Sequence, residues 1–106
     1  MSGLRYNTGK LKWSLVDYPS LEPLVKVLEF GMGKYSINNW KQGLQTKEII
    51  ESLLRHTYAL LENEDNDPES GLPHVGHILA NAMFLSYMIN NKPEYDNRSS
   101  DSRTTA

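Results

Sequence analysis

Two predicted helices carry polar side chains of the kinds that bind metal ions or phosphate. His74, His77 and Asn81 are spaced i, i+3 and i+7, so in a helix they project from one face. The residues around them are apolar on all sides, and buried imidazole and amide groups cost free energy unless each finds a partner. Two histidines one turn apart can bind one metal ion or flank one phosphate. The spacing therefore predicts a functional face on the third helix.

The second helix offers a matching set, Glu48, Glu51 and Arg55, again at i, i+3 and i+7. Two carboxylates one turn apart can share a divalent cation, since Mg²⁺ prefers oxygen ligands. If the two helices pack antiparallel, these carboxylates and the imidazoles meet in one groove. Asp67, in the acidic loop between the helices, adds a further carboxylate. The alternative is an ordinary solvated face in which Glu51 pairs with Arg55.

The elements that must position these groups follow from apolar spacing and capping residues. Leucines, valines and isoleucines recur at helical intervals over about 21–34, 46–63 and 74–90, with Ser20 and Thr46 as predicted N-caps. We therefore expect an all-α protein, a small bundle of three main helices preceded by an ordered N-terminal arm. Residues 1–90 are predicted to form a single domain, and the polar stretch 91–106 is predicted to be disordered.

Composition excludes several classes of protein. The chain has 106 residues, a formal net charge of −2 and no cysteine, so disulfides and thiolate chemistry are excluded. With no long basic run, we expect no binding to nucleic acid. With no apolar stretch of about 18 residues, we expect no membrane span and a cytoplasmic location. A chain of this length with 39 % hydrophobic residues buries a modest core, which favours a homo-oligomer.

A series of short motifs resembles a known family over roughly residues 5–88. The motifs, in chain order, are Arg5-Tyr6-Asn7 with Gly9-Lys10, Leu28-Glu29-Phe30-Gly31, Lys34-Tyr35, Asn39-Trp40, Glu51-Ser52, Arg55-His56 and the run from Asp67 to His74, followed by His77 and Asn81. Together they resemble the dATP/dGTP diphosphohydrolase N-terminal domain family, a bacteriophage group similar to the MazG-type all-α nucleotide pyrophosphatases.

The resemblance implies an oligomeric helical enzyme, acting as a homo-dimer or tetramer in the host cytoplasm. It would hydrolyse a purine deoxynucleoside triphosphate, dGTP or dATP, to the monophosphate and pyrophosphate with Mg²⁺ or Mn²⁺. MazG-type enzymes carry a Glu-x-x-Glu pair on one helix and a Glu-x-x-Asp pair on the next. Glu48 and Glu51 fit the first pair, whereas His74-x-x-His77 stands in place of the second.

These expectations give each candidate residue a role. The metal ligands would be Glu48, Glu51, His77 and Asp67. The catalytic residues would be Glu51, His74, Arg55 and Lys34. Glu51 or His74 would act as general base, and the side chains of Arg55 and Lys34 would contact phosphate oxygens. The substrate-binding residues would be Lys10, Tyr35, Asn39, Trp40 and Asn81, with an aromatic ring stacked on the purine and Asn81 also orienting ligands.

Three alternatives remain open from the sequence. A histidine-rich phosphohydrolase acting on nucleoside monophosphates would release free phosphate, although the adjacent His-Asp pair typical of that chemistry is absent. A non-catalytic nucleotide-binding protein, such as a phage sequestering factor, would account for the missing acidic pair on the third helix. A purely structural helical module would satisfy its histidines and asparagine with one another and would have no pocket between its helices.

Overall fold

The computed structural model describes residues 3–4 and 8–99 and contains three α-helices. They are α1 (Glu22–Lys34), α2 (Thr46–Leu61) and α3 (His74–Asn91). The described residues contain no strand. Their extended pairing is limited to an isolated antiparallel bridge between Asn66 and Pro73. The all-α class is confirmed, and the predicted helix bounds agree to within two residues. None of the helices in this part of the chain has the length and apolarity to cross a membrane.

The central element is α3, which packs on α1 along one side and on α2 along another. At the start of α3, Gly76 lies so close to the carbonyl of Pro23 that a Cβ there would fall 2.5 Å from its oxygen. The helix α2 runs antiparallel to α3, because His56 meets His74 near one end and the Leu44 N–H meets the Met88 sulfur near the other. The fully or nearly buried apolar residues are Val27, Ile49, Ala80 and Met88.

The N-terminal arm forms two 3-10 turns, Trp13–Leu15 and Tyr18–Leu21. Its apolar side chains are exposed: Trp13 is 68 % exposed and Leu15 is 81 % exposed. The Ser20 hydroxyl donates a hydrogen bond to Asp17 rather than capping α1, so the predicted cap is wrong. The arm is therefore locally ordered in its turns without being packed on the bundle, and Tyr6 lies outside the described residues.

The segment after α3 folds back onto the start of α2. Pro93–Tyr95 forms a 3-10 turn, and the Thr46 hydroxyl, fully buried, lies 3.1 Å from both Asp96 Oδ1 and Asn97 Oδ1. Asn97 Oδ1 also accepts the Lys47 N–H at 3.0 Å. Thr46 is thus the first residue of α2 and not its cap, because its hydroxyl is used by the distant segment. Tyr95, Asp96 and Asn97 are partly buried in a stretch where the composition predicts disorder, and 100–106 lie outside the described residues.

Candidate metal centre and adjoining pocket

Three histidine rings meet where α2 and α3 pack together. The Nδ1 atoms of His56 and His74 are 2.8 Å apart. The rings of His56 and His77 are stacked, with centroids 4.5 Å apart and planes within 4° of parallel. The three residues come together because α2 and α3 are antiparallel and because positions 74 and 77 share one face of α3.

The loop between α2 and α3 supplies the acidic partners of this cluster. Glu64 Oε1 lies 2.7 Å from His74 Nε2, and Asp67 Oδ2 lies 3.8 Å from His77 Nε2. Asp67 Oδ2 also accepts the Ser70 N–H at 2.8 Å, and the Ser70 hydroxyl lies 2.7 Å from His77 Nε2. Backbone hydrogen bonds within the loop fix its conformation. The Asp67 N–H donates to the Leu72 carbonyl, and the Asp67 carbonyl accepts the Gly71 N–H.

Burial and mutual repulsion keep two of the histidines neutral. Desolvation is the largest effect that lowers the pKa of His56, and the neighbouring His77 and His74 lower it further. Desolvation also lowers the pKa of His77, and the carboxylate of Asp67 only partly opposes it. Desolvation acts to raise the pKa of Asp67, but hydrogen bonds from Ser70 and the nearby imidazoles outweigh it, so this pKa is lowered. The lowered pKa values favour an ionised Asp67 beside neutral imidazoles of His56 and His77, which have lone pairs to offer.

Hydrogen bonds fix the protons on His74. A carboxylate only accepts, so His74 Nε2 donates in the contact with Glu64, and in the neutral ring Nδ1 then carries the lone pair. In the neutral ring pair, His56 Nδ1 then donates to His74 Nδ1. His74 is 3 % exposed and both of its ring nitrogens are engaged.

Asn81 lies one turn beyond His77 and ties the two helices together. Its amide nitrogen donates to the Ser52 hydroxyl at 3.2 Å and to the His77 carbonyl at 2.9 Å. Both amide hydrogens are thereby used within the protein. Throughout the described residues, every buried side-chain nitrogen or oxygen has a hydrogen-bond partner. Asn81 therefore joins α2 to α3 through its side-chain amide.

The residues that could hold a metal ion differ in part from those expected. His56, Asp67 and His74 each offer a ligand atom, and the three atoms lie within 4.8 Å of one another. Two imidazoles and a carboxylate are a donor set that divalent transition metals use, so these side chains fit an ion chemically. Glu48 and Glu51 are exposed and belong to no such group within the described part of the chain. The predicted meeting of α2 carboxylates with α3 imidazoles is thus replaced by an α2 imidazole and loop carboxylates.

The physical reason is the orientation of α2. Thr46, Ile49 and His56 lie on or beside the side of α2 that meets α3, and the first two are buried. Glu48, Glu51 and Arg55 turn toward solvent, where they make no hydrogen bond or ion pair with other described residues. The Glu51–Arg55 ion pair of the alternative interpretation is also absent among the described residues, although the face is solvated as that alternative has it. His56 could have been found from the sequence by its position one turn from Ser52 on a helix antiparallel to α3.

A second feature is an open cavity of about 700 Å³ beside α3. It is bounded by the C-terminal half of α1, the loop that follows and the middle of α3. The lining includes four of the residues predicted to bind or act on the substrate, namely Lys34, Tyr35, Asn39 and Trp40, together with Asn38 and Phe84. The walls are mainly apolar, with amide groups at the loop, which is the composition typical of a small-molecule pocket.

Aromatic packing holds the pocket loop on α3. The rings of Trp40 and Phe84 have centroids 4.7 Å apart, and Tyr87 meets Trp40 edge-on at 5.0 Å. Asn38 adopts the left-handed conformation, with φ of 57°, so that the chain can turn into the short 3-10 helix Asn39–Gln42. Lys34 lies at this rim with its amino group 5.5 Å from the Phe30 ring centroid and 5.8 Å from that of Tyr35. Lys10 is exposed on the arm.

Cluster and pocket share α3 as a common wall. His77 and Phe84 are separated by seven residues, two turns, so they lie on the same side of α3 about 10 Å apart along its axis. The molecule is thus an all-α protein with an imidazole-rich cluster and an apolar cavity along one helix. The family model described as dATP/dGTP diphosphohydrolase, N-terminal, matches residues 1–98, and the chain belongs to this family.

A named relative supports the same assignment. The chain is 36 % identical over 98 residues to a dATP/dGTP diphosphohydrolase of Salmonella phage PMBT28. The match covers 92 % of this chain and 33 % of the relative, so the chain spans about a third of the relative's length. No solved structure matches the chain.

Proposed function

We propose that this chain hydrolyses a purine deoxynucleoside triphosphate, dGTP or dATP, to the monophosphate and pyrophosphate in a metal-dependent reaction. Family membership and the name of the phage relative support the substrate class. The single observation that carries the proposal is the joint placement of cluster and cavity on α3. A site for a nucleoside and a site for a cation lie about two helical turns apart, a separation that a triphosphate chain can span.

The cavity would hold the nucleoside. Trp40 and Tyr35 offer aromatic surface for the purine, and Asn39 offers an amide that can bond to the edge of the base. Lys34, at the rim, would meet a phosphate oxygen. Trp40 already rests on Phe84 and Tyr87, so its ring is fixed before substrate arrives and little side-chain entropy is lost on binding.

The cluster would hold a divalent ion, and of the two that the resemblance implies, Mg²⁺ and Mn²⁺, its imidazoles suit Mn²⁺ better. His56, His74 and Asp67 are the ligand candidates among the described residues. When bound, the ion supplies positive charge that neutralises the phosphates and stabilises the leaving pyrophosphate. Glu64 holds the His74 ring through Nε2, and Ser70 holds both Asp67 and His77, so the protein orients these groups in advance.

The exposed pair on α2 has a separate proposed role. Glu51 has no partner among the described residues, so its carboxylate is available to accept a proton from the attacking water as general base. Arg55, one turn further along and equally unpaired in this part of the chain, would meet phosphate oxygens. Glu48 would add a carboxylate beside Glu51 for a second ion. Lys10, on the arm, would contact a phosphate oxygen.

The test is a panel of deoxynucleoside and ribonucleoside triphosphates incubated with the protein and Mn²⁺ or Mg²⁺, followed by chromatographic separation of the products. We expect dGMP or dAMP together with pyrophosphate. Free phosphate would instead support a monophosphate or stepwise phosphohydrolase. No turnover of any triphosphate, with either ion, would refute the proposed activity for this chain.

A second candidate function is non-catalytic binding of a nucleotide. One observation favours it: the buried polar groups of the cluster are satisfied by one another, and the α2 carboxylates lie outside it. Recovery of an intact nucleotide in equimolar, slowly dissociating complex with the protein would support binding over hydrolysis. The cavity on α3 argues against the purely structural module, which has no pocket.

We also propose a homo-dimer or tetramer in the host cytoplasm. Apolar side chains exposed on the arm and on α2 support an interface, among them Leu15, 81 % exposed, and Leu61, 75 % exposed. Light scattering coupled to gel filtration would measure the molar mass, and a monomer at micromolar concentration would refute this part of the proposal.

A further inference from the structure

The hydrogen bond between Glu64 and His74 has a consequence for the kind of ion that the cluster binds. Histidines that bind metal ions commonly donate their second ring N–H to a carboxylate, which fixes the tautomer and makes the other nitrogen more basic. His74 has this arrangement, with Nε2 on Glu64 and Nδ1 directed at His56. The lone pair on Nδ1 is held in place, in a ring that is almost completely buried.

The three donors are close to the spacing that one ion requires. Zn²⁺ or a similar ion binds nitrogen and oxygen at about 2.0–2.2 Å, so two ligand atoms around it are at most about 4.4 Å apart. The donor atoms of His56, Asp67 and His74 lie within 4.8 Å of one another, whereas ligand atoms around a tetrahedral ion are about 3.4 Å apart, so the widest pair must approach by up to about 1.4 Å on binding. The two Nδ1 atoms, now 2.8 Å apart, would separate slightly as the ion replaces the proton between them.

The donor types decide between ions. Mg²⁺ requires near-octahedral oxygen ligation and keeps several waters, and imidazole nitrogen is a poor ligand for it. Two imidazoles with one carboxylate suit Mn²⁺, Fe²⁺, Co²⁺, Ni²⁺ or Zn²⁺, with the remaining positions open to water or substrate.

We propose that His56, His74 and Asp67 form a binding site for a single first-row transition-metal ion in preference to Mg²⁺, with Glu64 as the residue that positions His74. On binding, His56 changes tautomer: the proton leaves Nδ1 and one is taken up on Nε2, so the ring stays neutral and no net proton is released. The ion's role in hydrolysis rests on the proposed function, whereas binding of the ion itself requires no nucleotide.

Titration of the metal-free protein with Co²⁺ tests the site without an activity assay, because Co²⁺ held by imidazole and carboxylate has visible absorption bands. We expect one Co²⁺ per chain, competition by Zn²⁺ and Mn²⁺, and no competition by a hundredfold excess of Mg²⁺. His56→Ala and Asp67→Asn should abolish the bands. Asp67→Asn keeps an oxygen that can accept the Ser70 N–H, so it should preserve the loop. It therefore tests the site even if removal of a buried ring, as in His74→Ala, prevents folding.

Glu64→Gln should weaken Co²⁺ binding by roughly 10- to 100-fold, the usual effect of losing a carboxylate behind a ligating histidine. Glu62→Gln, an exposed change two residues away, is the matched control and should bind as the parent does. Displacement of Co²⁺ by equimolar Mg²⁺, or unaltered binding in both His56→Ala and Asp67→Asn, would overturn the inference.

The two proposals fail separately. Loss of Co²⁺ binding in the variants, together with no hydrolysis of any triphosphate by the parent protein, would retain the metal site and reject the enzymatic function. Hydrolysis supported by Mg²⁺ alone at equal rates in the parent and in His56→Ala would retain the enzymatic function and reject the inferred site.

Discussion

The ring of Tyr95 occupies the space that a side chain at position 43 would need. A Cβ built on Gly43 would lie 2.2 Å from the nearest ring atom of Tyr95, and Gly43 has a φ of 140°. This contact fastens the segment after α3 to the end of the pocket loop, one residue before Leu44 bonds to the Met88 sulfur. The position of the pocket loop therefore depends on residues at the far end of the described chain.

Gly43→Ala should destabilise the protein by about 2–4 kcal/mol, because it combines an unfavourable φ with a clash against an aromatic ring. Chemical denaturation followed by circular dichroism measures the change in the free energy of unfolding. Gly33→Ala is the control: it lies in α1 with no neighbour within 4 Å of the added carbon, and should stabilise by about 0.5–1 kcal/mol. Equal stability of the two variants would show that Tyr95 does not pack on Gly43 in solution.

Asn97 acts as the cap of α2 from fifty residues away, through Thr46 and Lys47. Thr46→Ala removes a fully buried hydroxyl that both donates to this segment and accepts the Asn97 N–H, so we expect a loss of about 1–2 kcal/mol. Thr46→Ser retains the hydroxyl and should lose less. Thermal unfolding of both variants tests the assignment, and identical melting temperatures for Thr46→Ala and the parent would contradict it.

The same segment should keep its contribution to stability in moderately acidic solution. Hydrogen bonds from the Arg98 side chain and backbone are the main causes that hold the pKa of Asp96 well below its usual value of 3.8. A carboxyl group with a lowered folded-state pKa stabilises the fold above its unfolded pKa, and this stabilisation is lost as the pH falls through the folded value. The contribution should therefore be constant from pH 7 to 5 and disappear only in strong acid.

Asp96→Asn tests this dependence. The variant should have a lower urea midpoint than the parent at pH 7 and at pH 5, and the difference should vanish in strong acid. The change will be small because the pair is solvent-accessible. Glu94→Gln, exposed in the same segment and without a hydrogen bond or ion pair among the described residues, should leave the midpoint unchanged at every pH. A difference that disappears already at pH 5 would contradict the lowered pKa.

Trp40→Ala should enlarge the cavity and loosen the loop, because Trp40 packs on Phe84 and Tyr87. If the cavity holds the nucleoside, KM for dGTP or dATP should rise by roughly 10-fold or more, the value of one aromatic stack of about 1–3 kcal/mol. Trp13→Ala removes a tryptophan that is exposed on the arm and outside the pocket. Steady-state kinetics with equal KM for the two variants would remove Trp40 from the binding site.

Apolar periodicity predicts the helices well because it reports burial, and burial is what the three-helix packing requires. It predicts the site less well because it does not determine how a helix is rotated. Glu48 and Glu51 have the spacing of ligands, but α2 turns His56 toward α3 and leaves both carboxylates outside. Thr46 looks like a cap for a similar reason: a local pattern cannot show that Asn97, far along the chain, takes that function.

Substitution of Glu51 separates the proposed role of the acidic pair in catalysis from that of the imidazole cluster in binding the ion. Glu51→Gln should lower kcat for the favoured triphosphate by roughly 10²–10⁴-fold, the range for loss of a general base, and we expect Co²⁺ uptake by His56, His74 and Asp67 to remain unchanged. Glu62→Gln, also exposed, is again the control and should change neither quantity. For the parent and both variants, single-turnover kinetics measures the rate of hydrolysis, and titration with Co²⁺ measures ion uptake. Full turnover in Glu51→Gln would place the proton acceptor elsewhere and leave the imidazole cluster as the one chemical centre that the described residues offer. Loss of Co²⁺ uptake in the same variant would mean that Glu51 reaches the ion.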